Sequence, residues 1–239
     1  MSTKNLAGQH VVVVGGSSGI GKAVAAQALA AGARVTIASR SAEKLAAAAG
    51  ELGDVATAVV DVTDEESVRA LFAPIESLDH LVVCPGDMAN GSVYEVSAES
   101  IRACLDTKLV GQLLSVRHAG KKLTPEGSIV LLAGAGGYKP FAELSVTAAA
   151  NVGIGAMGRS LALELAPIRV NVVVAGLIDT PLWDFIPESD RAAFFEHTAK
   201  TTPVGRIGQP ADVAASVIHL LENTFVSGAL VHVDGGALL

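Results

Sequence analysis

The chain has 239 residues, 50% of them hydrophobic and 17% charged, enough to bury a large core in an α/β protein of enzyme size. Its formal net charge of −7, with no Lys/Arg cluster, argues against nucleic acid or an anionic membrane as partner. The apolar runs are too short and interrupted to span a membrane and the first residues lack the basic-then-apolar layout of a secretory signal, so a cytoplasmic protein is expected.

Residues 11–21 read V-V-V-V-G-G-S-S-G-I-G and run on into the helical pattern K-A-V-A-A-Q-A-L. A strand that feeds a glycine-rich turn and then a helix is what a phosphate site needs. Gly15 and Gly19 allow backbone angles and close approaches that a Cβ would obstruct, and Gly21 lets the helix sit tight on the sheet. The helix then presents free N–H groups and its positive dipole end. Gly15, Ser17, Ser18, Gly19, Ile20 and Gly21 are therefore the candidate phosphate cradle. Further apolar, β-branched runs place strands over 10–14, 34–38, 55–60, 80–83, 128–132, 169–174 and 230–233, separated by alanine-rich helical stretches. These runs are apolar throughout, as expected of strands covered on both faces. One domain, 1–239, is expected, built on a doubly wound, parallel, seven-stranded Rossmann sheet with helices on both faces. Cys84 and Cys104 read as reduced core thiols, and the histidines are too scattered for a metal site.

Placed on these elements, the sequence resembles the short-chain dehydrogenase/reductases nearly end to end. The likeness rests on Gly15, Gly19, Ile20 and Gly21, on Asp61-Val62 after the third strand, and on L-A-L-E-L-A-P at 161–167 leading into Arg169-Val170-Asn171. It continues through Gly176, Ile178-Asp179-Thr180-Pro181, P-V-G-R-I-G-Q-P at 203–210 and Val233-Asp234-Gly235-Gly236. At the end of the second strand, where an Asp or Glu usually holds the ribose of NAD, the chain has Ser39 followed by Arg40. A hydroxyl and a guanidinium suit a 2′-phosphate, so NADP(H) is the expected cofactor, with a solvated Arg40 as the alternative. The resemblance implies that Asp61 and Val62 flank the adenine and that Ile178 and Thr180 hold the nicotinamide end. Asp61 can equally cap the next helix. Pro85 and Gly86, after the fourth strand, complete the cofactor set.

The family usually carries a Ser after the fifth strand, a Tyr-x-x-x-Lys pair on the next helix and an Asn on the helix before. Counting along this chain, those positions fall on Gly134, Thr147, Asn151 and Lys108, with Gly111 retained. The loop usually reading Asn-Asn-Ala-Gly is Val83-Cys84-Pro85-Gly86, and Val14 stands for the Thr before the first glycine. Lys108 and Asn151 look like an exchange of residue types that lets an ammonium and an amide meet from opposite sides; drift in a protein without turnover explains the same residues. Thr147 is too weak an acid to replace a phenol, Tyr138 and Ser145 are nearby alternatives, and His118 reads as surface. Lys108, Asn151 and Thr147 are the candidate catalytic set, and partial burial should lower the Lys108 pKa.

Two readings follow. One is an atypical NADP(H)-dependent oxidoreductase acting on a small carbonyl or alcohol; the other is a catalytically silent NADP(H)-binding protein, a sensor or structural subunit. The segment 183–202, with Trp183, Phe185, Phe194 and Phe195, reads as a lid whose aromatics suit an apolar substrate or pack on the core. Gly153, Gly155 and Gly158 disfavour helix in 147–165, so a second backbone should approach there, in a homodimer or homotetramer.

Overall fold

The computed structural model describes residues 5–239. In chain order its first half comprises β1 (His10–Val14), α1 (Gly19–Ala30), β2 (Arg34–Ser39), α2 (Ala42–Leu52), β3 (Ala56–Val59), α3 (Glu65–Phe72) and β4 (Leu78–Val83). There follow α4 (Ala98–Leu105), α5 (Gly111–Gly120), β5 (Leu123–Gly134), α6 (Ser145–Glu164), β6 (Arg169–Ala175), α7 (Glu188–Thr201), α8 (Pro210–Glu222) and β7 (Leu230–Val233). All seven strands are parallel, in the order β3-β2-β1-β4-β5-β6-β7. Among the described residues no helix is long and apolar enough to cross a membrane.

The unbroken apolar runs arise because each central strand feeds two cores. Val11 and Val13 pack in the layer of α1, α2 and α8, with Val24, Ala28, Leu45 and Val217. Val12 and Val14 face the layer of α3, α5 and α6, with Val68, Phe72, Val116 and Ile154. Alternation persists, but both faces are dry. The fifth strand begins five residues before its expected start at 128. Pro125 and Gly127 read as turn residues, yet Leu123 already pairs with Leu78, and the register shift before His80 absorbs the intervening residues.

The glycines of α6 have a different cause from the one expected. A Cβ on Gly158 would lie 2.3 Å from Val172 of β6, one on Gly155 2.4 Å from the Tyr138 hydroxyl, and one on Gly153 3.0 Å from Leu109. The close approach they permit is to the chain's own sheet and neighbouring segments. No second subunit is needed to explain them.

Within the sheet, on β4, His80 Nε2 lies 2.9 Å from Gln9 Oε1 and Nδ1 lies 2.8 Å from Ser128 Oγ of β5. The amide oxygen can only accept, so Nε2 carries the proton and Ser128 donates to Nδ1. Burial lowers the imidazole pKa from 6.5 to about 4. The folded form thus resists protonation, and stability present at neutral pH is lost as pH falls from about 6.5 towards about 4. Urea unfolding at pH 7 and 4.5 should show a loss in the native protein larger by about 2 kcal/mol than in His80→Gln. An identical pH dependence in the two proteins would contradict this assignment.

Candidate active site

The chain winds outward from β1 to β3, then returns across β1 to β4, so the loops leaving β1 and β4 diverge. A cavity of about 510 Å³ opens there, lined by Gly15, Ser17, Ser18, Gly19, Ile20 and Gly21 on one side and Pro85, Gly86 and Thr180 on another. Gly15 has φ +86° and a Cβ there would meet the Cys84 carbonyl oxygen at 2.8 Å; one on Gly21 would lie 2.2 Å from the Gly15 carbonyl oxygen. Ser18, the N-cap of α1, makes no side-chain capping bond, and the first turn carries no acidic residue. Uncapped N–H groups at the start of a helix that a tightly packed glycine turn brings onto this cavity suit a dinucleotide pyrophosphate.

At the β2 end of the same cavity stand Ser39, Arg40, Ser41 and Lys44. Ser39 Oγ itself is buried with no partner. Ser41 caps α2 through the Lys44 N–H at 3.2 Å, which sets Lys44 in the first turn just beyond Arg40. Lys44 escaped sequence reasoning, although Ser41 is a favoured N-cap residue and places Lys44 at the third position of the helix. Val60 and Val62 line the cavity. Asp61 does not: its Oδ1 accepts from the Thr63 N–H at 3.0 Å and the Thr63 hydroxyl at 2.8 Å, bonds that hold its pKa below the usual carboxylate value. Its structural role is therefore that of a turn former ahead of α3. Gly111 admits α5 against Val62, where a Cβ would clash at 2.7 Å.

A second cavity, about 560 Å³, adjoins the first and shares Ile20, Cys84, Pro85, Gly86, Thr180 and Leu182 with it. Lys108, Thr147, Asn151 and Ile178 all line it. Lys108 lies on a π-helical turn, Asp106–Val110, set between α4 and α5 without leaving helical backbone. Such turns rotate a side chain out of the regular helical progression. Here the result is a lysine 8% exposed. Burial lowers its pKa; nearby Cys104 and Asp87 oppose that shift. Asp87 is itself held by the Met88 N–H at 2.8 Å and the Thr107 hydroxyl at 3.3 Å.

Asn151 is 2% exposed and its Oδ1 is buried without a partner. Its amide occupies the space beside Gly134, where a Cβ would come within 2.9 Å of Nδ2. The bare Gly134 and the amide at 151 are thus one packing solution. Thr147 has a different task from the catalytic one expected. Its hydroxyl donates to the Ala89 carbonyl at 3.2 Å and accepts from the Ala89 N–H at 3.1 Å, clamping the loop after β4 to α6.

Tyr138 is absent from the cavity wall. Its ring packs edge-on against His232 with centroids 5.1 Å apart, and its hydroxyl is buried without a partner, which raises its pKa. Ser145 is exposed at the start of α6, and His118 bonds Glu65 at 3.0 Å on the surface. Of the expected lid aromatics, Trp183 and Phe194 line the second cavity with ring centroids 5.5 Å apart, Phe185 lines the first, and Phe195 packs on Phe194. α7 has no buried residue, as befits a cover. Cys84 is half-buried in the wall shared by the two cavities, its thiol pushed up to about 12 by desolvation, and Cys104 is buried in α4.

The profile of the enoyl-(acyl carrier protein) reductase family matches residues 14–237. This chain belongs to the short-chain dehydrogenase/reductase family. It is similar to the human 3-oxoacyl-[acyl-carrier-protein] reductase, 34% identical with 95% of this chain and 97% of the relative covered. Carbonyl reductase family member 4 of Xenopus laevis is likewise 34% identical with the same coverage. Among solved structures, a small-chain dehydrogenase in complex with NADPH superposes with a TM-score of 0.87 at 35% identity, covering 97% of this chain and 99% of that one. The switch-point cavity is where a short-chain dehydrogenase/reductase is expected to bind its dinucleotide. Replacing Thr147 by Val in this family member strands the buried Ala89 N–H and carbonyl and should cost about 1–3 kcal/mol in urea unfolding. Thr147→Ser should recover most of the loss.

Proposed function

We propose that this chain is an NADP(H)-dependent oxidoreductase that interconverts a small, largely apolar carbonyl compound and its alcohol, with Lys108 in place of the usual phenol. The observation that carries the reading is the burial of Lys108 on a cavity continuous with the uncapped glycine turn. NADP(H) fits the first cavity: α1 takes the pyrophosphate, and Ser39, Arg40 and Lys44 surround the place of a 2′-phosphate without a carboxylate to repel it. Bound NADPH supplies the hydride. Pro85, Gly86, Ile178 and Thr180 shape the passage between the cavities, and Lys108 donates the proton to the oxygen on which negative charge develops. An ammonium with a lowered pKa is a better acid near neutrality than an exposed lysine. Asp87 helps keep it charged.

The position of Tyr138 outside the cavity and the committed hydroxyl of Thr147 favour a second reading, a dinucleotide-binding protein without turnover. The subunits of either would associate as a homodimer or homotetramer, in keeping with exposed Val110, Leu113, Val152 and Leu163 on and beside α5 and α6.

NADPH should bind more tightly than NADH in calorimetry, and Arg40→Ala should remove roughly ten- to a hundredfold of that preference. Equal affinities in the unmutated protein would refute the NADP(H) assignment. Lys108→Met should lower NADPH-dependent carbonyl reduction at least about a hundredfold while NADPH affinity stays within about twofold. Because the protonated form is the active one and its pKa is lowered, reduction by the native protein should decline as pH rises, with a midpoint below 10.5. Turnover unchanged in Lys108→Met refutes the role; absence of turnover across a carbonyl panel with NADPH bound selects the silent protein.

A further inference from the structure

We infer that the ligand of the second cavity is an apolar 2-oxo acid, its carbonyl oxygen and one carboxylate oxygen both held by the ammonium of Lys108. The inference rests on the oxidoreductase reading for turnover and on the cavity alone for binding. Lys108 is 8% exposed and lines this cavity, and among the described residues its ammonium makes no hydrogen bond and no ion pair. The ammonium is not sealed off, for it keeps surface on the cavity. Asp87 leaves it unpaired: that carboxylate lies off the wall and is committed to the Met88 N–H at 2.8 Å and the Thr107 hydroxyl at 3.3 Å. The chain has 24 Asp and Glu against 17 Lys and Arg, yet no carboxylate stands on this wall, whose Lys and Arg residues are Lys108 and Lys139. The hydroxyls of Thr147, Thr198 and Thr202 are committed to backbone carbonyls. A buried cation without a partner is costly, and the ligand is left to supply the negative charge.

Much of the remaining wall, including Met88, Leu132, Leu177, Trp183 and Phe194, suits an apolar body. The place of the carboxylate relative to the carbonyl follows from there being one buried cation. Lys139, bonded to the Ala237 carbonyl at 2.8 Å, and His197 are exposed, so a carboxylate reaching them would stay in water, where ion pairs contribute little. An oxygen that takes the Lys108 proton and a carboxylate that needs the Lys108 charge must therefore be neighbours. In a 2-oxo acid they sit on adjacent carbons, and in the planar rotamer the two oxygens share an edge that one ammonium spans with two of its three hydrogens. Burial disfavours the ammonium, and an anion beside it offsets that penalty. The reaction balances as a ketone reduction. The carbonyl carbon gains a hydride from the reduced dinucleotide, its oxygen gains the proton of Lys108, the dinucleotide is oxidised, and the product is a 2-hydroxy acid. The carboxylate is unchanged, and neutral Lys108 regains its proton from solvent.

The test compares benzoylformate with its amide, 2-oxo-2-phenylacetamide, which has the same shape and no charge. Binding is measured by calorimetry at pH 7 with NADP⁺ at saturation. The acid should bind at least about tenfold more tightly, the worth of a charge-assisted contact to a buried cation. In Lys108→Met and in Lys108→Gln, which keeps a neutral donor, the ratio should fall below about threefold while NADP⁺ affinity stays within about twofold; in Lys139→Met the ratio should stay within about twofold of native. Equal affinities for acid and amide in the native protein would overturn the inference. So would binding of neither, a ratio unchanged in both Lys108 variants, or a ratio abolished in Lys139→Met. Turnover with NADPH is read separately, on benzoylformate, on 4-oxo-4-phenylbutanoate, whose carboxylate is remote from the carbonyl, and on acetophenone. Benzoylformate should lead in kcat/KM by at least about tenfold, and equal values would overturn the placing of the carboxylate beside the carbonyl. A preference for the acid that depends on Lys108, without consumption of NADPH, supports the ligand class and removes the oxidoreductase reading; turnover of all three ketones without that preference does the reverse.

Discussion

β1 pairs with β2 on one side and β4 on the other, and both pairings are parallel. Parallel neighbours cannot be joined by tight hairpins, so every connection must cross a face of the sheet and cover it with a helix. The chain spends β2 and β3 on one side of β1 before it starts the other side at β4. At that reversal the first and fourth connections leave in opposite directions, and no helix can fill the gap between them. The glycine turn, Pro85 and Gly86 line the gap because they are the residues that leave those two strand ends. The site is a by-product of covering a parallel sheet.

Inside that frame the candidate site depends on small residues as much as on polar ones. Gly134 makes room for the Asn151 amide, Gly137 for its Cβ, and Gly111 for the approach of α5 to Val62. The π-helical turn supplies the remaining adjustment by placing Lys108 inward within an otherwise continuous helical run. Thr147 fixes the loop that carries Met88 into the second cavity. The placement of Lys108 and Asn151 thus depends on packing at four other positions and on one irregular helical turn.

How much of this was readable in advance varies with the range of the physics involved. The strands and the glycine cradle were legible because β-branched runs and glycine spacing are local signals. So was the burial of Lys108 and Asn151 on one cavity, through family spacing. The π-helical turn was not, because an i→i+5 bond has no compositional signature. The glycines of α6 were seen as calling for a close neighbour, but sequence cannot say which one, and the neighbours are Val172, Tyr138 and Leu109 of the same chain. The same limit applies to Tyr138 and Thr147. Each lies near the expected site along the chain, yet the direction of one ring and the partners of one hydroxyl are decided by contacts with distant residues, His232 and Ala89.

The two cavities share six wall residues, from Ile20 to Leu182. Whatever fills the first becomes floor for the second, and the second's occupant in turn presses on the first's. Their binding free energies are therefore coupled, and linkage requires the coupling to be the same in both directions. A nucleotide bound in the first cavity would thus form part of the wall that a second ligand meets, and its oxidation state would bear on what the second cavity accepts.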